Sequence, residues 1–246
     1  MSQGKPKKLN SEQPLVRDGL LVAAQAALMC AGPAGSVLSL LIDKYVPTAL
    51  QAQGDELLAA LHEDLEKVKL QISDDRLRSH VFNLMIVRVL RDAVVEPAKE
   101  KQAAFRAILL NEAVAPSLNP EADLFIKITE DLTAEHIQTL RVLHNPGHGN
   151  PGVAEAIRSA MSTNQFSPAS ADLASLLLQP SLPHIPKDHW KVLLTGLARY
   201  DLIADLGESW GGWDQPMDPR LALTKRTSRL GDRYIESITF GDQAHG

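Results

Sequence analysis

The chain has 246 residues, a formal net charge of -5, 44% hydrophobic and 4% aromatic residues, and one cysteine. That length holds one large domain or two small ones, and the acidic balance gives no global electrostatic footprint for nucleic acid. Cys30 alone excludes an internal disulfide and fits a reducing compartment, and the abundance of Leu and Ala favours helices throughout.

Residues 1–13 are polar and lysine-rich and read as a disordered tail. Pro14 opens a first helix that runs to about Ala31. From Gly19 to Ile42 no charged side chain occurs, and Gly32-Pro33-Ala34-Gly35 interrupts the run. A soluble helix of that length normally shows a polar face, so the stretch needs cover from the protein's core, a partner chain or a membrane. Gly and Pro stop a helix, and each half is too short to span a bilayer. Leu28, Val37 and Leu41 are the candidate interaction residues of the resulting hairpin, whose second helix covers Ser36 to Tyr45 before Pro47. Lys5, Lys7, Lys8 and Arg17 precede the run in the order of a signal peptide. The polar part extends to Asp18, however, and Met29 is too large for a lipoprotein cleavage site. The expected location is therefore the cytoplasm, with membrane association through residues 19–42 left open.

Leu57, Leu58, Leu61, Leu65, Val68 and Ile72 form the apolar stripe of a long amphipathic helix. Ser73-Asp74-Asp75 stops it and starts the next, Arg76 to Val95, whose apolar middle places it centrally in a bundle. Pro97 restarts the chain. Phe105, Ile108, Leu109 and Val114 mark a further buried stripe, and Pro116 and Pro120 bracket a loop. Leu124, Phe125 and Ile128 belong to a short helix ending near Leu132. Thr133 caps the next, with Ile137, Leu140 and Leu143 inward. The segment from His144 to Gly152 is dense in helix breakers and reads as a domain boundary or functional loop.

Beyond it, short helices are expected over Val153–Met161 and Ala169–Leu178, and a longer one over Lys187–Tyr200. Leu202 to Leu206 reads as a strand, Gly207 to Pro219 as a loop, and Leu221 to Thr224 as the return strand. Thr227 or Ser228 then caps a last helix to about Ile238. This order is that of a winged helix. The expected fold is mainly α: a helical bundle over residues 14–145, then a winged-helix-like module with a two-stranded wing over residues 153–240.

Two segments carry a resemblance. Asp123–Leu143 (DLFIKITEDLTAEHIQTLRVL) pairs a short apolar helix with "Lt-x-x-h-x-x-x-L". Near the C-terminus Leu197, Leu202 and Ile203, then Leu223, Thr224, Gly231, Tyr234 and Ile235, fit a helix running into "L-x-x-x-x-L-I", a wing, and "lT-x-x-G-x-x-[FY]" plus a hydrophobic residue. In both the chain resembles small helical bacterial proteins of the abortive-infection alpha type and their uncharacterised relatives. Asp201 stands where that pattern has a small residue or Gly, and Thr224 and Gly231 are further apart than usual. The resemblance implies a bacterial, non-enzymatic helical protein linked to phage defence or stress, and it brings no active-site residue.

Motifs for chemistry fail on inspection. His144 and His148 have a zinc-clamp spacing, but Pro146 and Gly147 deny them a helix. His62-Glu63 is followed by Glu66 rather than the second His of a metalloprotease helix. Ser36 and Ser39 have no nearby base, and Gly207, Gly211 and Gly212 lead to no helix N-terminus. No catalytic, cofactor or metal residues are assigned. Lys187, Lys191, Arg199, Lys225, Arg226 and Arg229 are the candidate nucleic-acid contacts, opposed by Asp188, Asp201, Asp205, Glu208, Asp214 and Asp218. Trp210 and Trp213 read either as an exposed binding tip or as packing against Trp190. The leading expectation is a non-catalytic interaction protein that self-associates, binds a protein partner or contacts a membrane surface. The alternative is a transcriptional regulator binding DNA through the C-terminal module.

Overall fold

A computed structural model describes residues 51–68, 71–73, 75–76, 79–146, 150–162, 172–204 and 222–240. The candidate residues Leu28, Val37, Leu41, Trp210 and Trp213 lie outside them, as do the expected tail, the expected hairpin and His148. The chain divides into two compact units, Met1–Pro97 with Leu109–Pro120, and Ala98–Ile108 with Glu121–Gly246.

The first unit is built on α1 (Gln51–Val68) and α2 (His80–Val94). In α1 the threefold and fourfold spacing buries Leu57, Leu61 and Val68, while Glu63 and Lys67 pair in solvent at 2.9 Å. The Ser79 hydroxyl caps α2 by accepting from the Phe82 N–H. Phe82, Met85, Ile86, Val89, Leu90, Ala93 and Val94 are all buried, as the apolar middle of this helix predicts. A polar knot closes the unit beside them. Arg76, 7% exposed, donates through Nη2 to the Ala115 carbonyl at 2.8 Å and stands 5.9 Å from the centre of the Phe82 ring. The Glu112 carboxylate accepts the Asn119 N–H at 2.9 Å and so ties down the loop that Pro116 and Pro120 bracket.

α3 (Lys99–Val114) contributes residues to both units. The second unit continues with α4 (Ala122–Asp131), α5 (Ala134–His144) and α6 (Pro151–Ser162). A π-helical turn, Ala174–Leu178, runs into Gln179–Ser181, and a 3-10 turn, Lys187–His189, leads into α7 (Trp190–Arg199). α8 (Arg229–Ser237) follows, capped by Ser228. Phe125, Ile126, Ile128, Ile137, Leu140, Leu143, Leu197 and Tyr234 are buried here. The Tyr234 ring meets Phe125 edge-on at 5.8 Å, and its hydroxyl shares a 3.0 Å hydrogen bond with Thr129, so the most buried phenol of the unit is satisfied.

The expected two-stranded wing is not formed by the described residues, which contain no strand. Ala222 and Leu223 lie in a 3-10 turn, and the pairing reduces to one antiparallel bridge between Ile203 and Thr227. The reason is the competition for backbone groups. Ala204 N–H does bond the Arg226 carbonyl at 2.9 Å, but Arg226 N–H turns away to the Leu143 carbonyl at the end of α5, also at 2.9 Å. A ladder cannot extend when its next donor is taken by a helix end. The expectation of a mainly α chain agrees with the structure, and the winged-helix-like module with its two-stranded wing is corrected.

Two local devices hold this corner. α7 ends in a Schellman motif, with Leu202 N–H bonded to the Leu197 carbonyl and Asp201 N–H to that of Ala198. Asp201 takes φ 55°, the left-handed conformation in which glycine is free of strain. Gly231 then lets α8 approach the chain at Leu202 so closely that a Cβ would lie 1.9 Å from the Leu202 carbonyl oxygen.

Candidate functional site

One polar cluster of the second unit joins the end of α5, the Lys225–Thr227 segment and the start of α8. His144, the last residue of α5, places Nδ1 3.1 Å from Asp232 Oδ1 in the first turn of α8 and 3.4 Å from Thr227 Oγ1. Thr227 donates its hydroxyl to the same Asp232 oxygen, and Lys225 Nζ lies 2.7 Å from it. Burial acts most strongly on Asp232 and pushes its carboxyl up, but Lys225, Thr227 and His144 together hold it below the usual carboxylate range.

A hydroxyl, an imidazole and a carboxylate are the parts of a nucleophilic triad, but their order here is different. A triad sets the hydroxyl on one ring nitrogen and the acid on the other. Here both partners meet Nδ1, and the hydroxyl donates to the acid directly. The cluster joins the end of α5 to the start of α8, and Asp232 also lies in the helix turn where a negative charge is favourable. The sequence marks His144 only through His148; its actual partners stand more than 80 residues further on, where no spacing rule reaches. Among the described residues no group of three metal-ligating side chains converges.

The six candidate nucleic-acid cations fare differently from one another. Lys187 is tied to Asp172 at 3.0 Å and Lys225 to Asp232. Arg226 is 2% exposed, and burial lowers its affinity for its proton. Lys191 and Arg199 are exposed on α7, and Arg199 stands 5.9 Å from the Tyr200 ring centre. Arg229 is exposed at the start of α8. The acid Asp188 is exposed in the 3-10 turn before α7, and Asp201 is exposed just after that helix.

α7 carries a feature that the sequence reading missed. Its buried stripe is Trp190, Leu193, Leu194 and Leu197, at spacings of three and four. Val192 falls off that stripe and is 66% exposed, between Lys191 and Thr195 on the outer face. The signal was present in the register: a β-branched apolar residue one position before a buried pair has no place in the core. Trp190 itself is fully buried, and its indole N–H has no acceptor among the described residues.

α7 also meets α5 through a close contact at Gly196, one helical turn from Val192. Thr133 and His136 form a capping box in which His136 replaces the usual Glu or Gln. His136 Nδ1 accepts the Thr133 N–H at 3.2 Å, and the imidazole reaches Gly196 of α7.

Among the described residues the molecule is helical, and the cluster of His144, Thr227 and Asp232 joins two helix ends. Comparisons with protein-family models, with curated proteins and with solved structures find no match. Among the described residues no helix is long and apolar enough to cross a membrane.

Proposed function

We propose that this chain is a non-catalytic helical interaction protein, with the hairpin sequence around Leu28, Val37 and Leu41 as the element of self-assembly or membrane contact. The observation that carries the reading is the absence of any charged side chain from Gly19 to Ile42, because apolar chain of that length is rarely left to solvent. The exposed Val192 face of α7 supports a second contact surface. The resemblance to abortive-infection alpha proteins supports a bacterial antiphage or stress role. The test compares the full chain with residues 48–246. Light scattering gives the oligomeric state, and flotation with phospholipid vesicles gives membrane contact. Loss of assembly or of flotation on truncation is expected; identical behaviour in both assays would remove the proposal.

The nucleic-acid alternative is favoured by one observation: Lys191, Arg199 and Arg229 are all exposed. If three phosphates are neutralised, log K against log salt should have a slope of about -2.7. A flat dependence, or no binding, removes this reading.

A further inference from the structure

The contact between α5 and α7 depends on an unprotonated ring nitrogen. At the start of α5, His136 Nδ1 accepts the Thr133 N–H at 3.2 Å and lies 2.9 Å from the Thr133 hydroxyl oxygen. A nitrogen that accepts a backbone N–H carries no proton, so the ring is the neutral tautomer with hydrogen on Nε2. Glu or Gln in the same position would accept through oxygen at neutral pH. The other edge of the ring rests on Gly196: a Cβ there would lie 2.3 Å from Nε2 and 2.8 Å from Cδ2. The same imidazole therefore caps one helix and packs on the backbone of another.

We propose that this imidazole is an acid-sensitive latch, whose protonation at Nδ1 sets it against the Thr133 N–H, uncaps α5 and loosens α7 from it. A positive charge is also unfavourable at a helix N-terminus. The ionisable surroundings are few. Glu135 on α5 is the charged neighbour that acts on His136, drawing it toward the protonated form, but burial outweighs it and lowers the imidazole's proton affinity. From α7 the ring faces Gly196, which has no side chain. His184, in the loop before α7, and Glu100 of α3 are both held by Gln138. Asp131, at the end of α4, is held by Lys127 and Tyr200. A His whose folded value lies below its ordinary 6.5 contributes stability that is present above 6.5 and is lost as pH falls through the folded value.

The experiment measures amide-exchange protection factors across the full chain from about pH 8 to about pH 5, in the wild type and in His136→Gln. Glutamine keeps a capping-box acceptor and does not titrate. Protection in the first turn of α5 and in α7 should fall in the wild type by up to about tenfold per pH unit below 6.5, the slope for one proton. The fall should be absent or much smaller in the variant. An equal fall in both overturns the latch, since the other histidines are common to the two. If His136→Gln fails to fold, the wild type still decides. Ring-nitrogen NMR showing Nδ1 protonated at neutral pH, or pH-independent protection of these two segments, overturns it. An unprotonated Nδ1 that titrates together with their loss of protection sustains it.

Discussion

Glu112 in the first unit is buried and His136 in the second is half-buried, and burial acts on them through opposite charges. Burial favours the neutral form of each. For Glu112 it raises the carboxyl above its ordinary 4.5, against the pull of the Asn119 N–H and of Arg76. The stability this gives is complete below 4.5 and is lost as pH rises through the raised value. For His136 it lowers the imidazole below 6.5, and the stability is lost on acidification. Acid should therefore loosen the second unit at α5 and α7, while it relieves the charge held in the first. A chain can carry opposite acid responses in two units simply by choosing which charge type each unit buries.

The sharpest way to break the second unit alone is Gly231→Ala. Its Cβ would collide with the Leu202 carbonyl oxygen, a backbone atom that cannot swing aside. A loss of about 4 kcal/mol is expected in urea denaturation, and a loss under about 1 kcal/mol would mean that α8 does not pack there as described. Arg76→Met strikes the first unit instead. It leaves the Ala115 carbonyl without its donor and Glu112 without its positive neighbour, for about 3 kcal/mol. Adding Glu112→Gln should recover part of that loss and flatten the response of the first unit above pH 4.5; no coupling between the two changes would dissolve the knot as a unit. Thr133→Ala removes the hydroxyl that receives the His136 N–H and should cost about 1 kcal/mol, read as a lower Tm. The smallest effect has the opposite sign. Asp201→Gly relieves the left-handed backbone and should stabilise the chain by about 0.5–1 kcal/mol; a destabilisation would show that the Asp201 side chain holds more than its own turn.

What could be read from the sequence follows from the range of the forces involved. Thr133 was legible as a cap, and Ser228 as one of two candidates beside Thr227, because a cap acts within three residues. The stripe of Leu57, Leu61 and Val68 was legible because helical periodicity is local. The wing was not. Leu202-Ile203-Ala204 is a short apolar run that suits a strand or a buried turn equally, and its outcome rested on Arg226 N–H finding the Leu143 carbonyl. The six cations were legible as charges, but not as Lys187 bound to Asp172, Lys225 bound to Asp232 and Arg226 buried. Likewise the use of His136 required Gly196, sixty positions away in the chain, to vacate the space beside it.

The widened turn at Ala174–Leu178 has a consequence for sequence change. Leu176, Leu177 and Leu178 are consecutive and all buried; a π turn, which closes five residues apart rather than four, rotates less per residue and so keeps neighbours on one side. Such a turn contains one residue more than an α turn needs. Deleting a residue there lets the loop of hydrogen bonds tighten to the ordinary kind, and the flanking chain keeps its facing. The same deletion inside α5 has no slack to draw on and swings every later side chain by about 100°. Length variation in this protein should therefore be absorbed at residues 174–178 and rejected in α5.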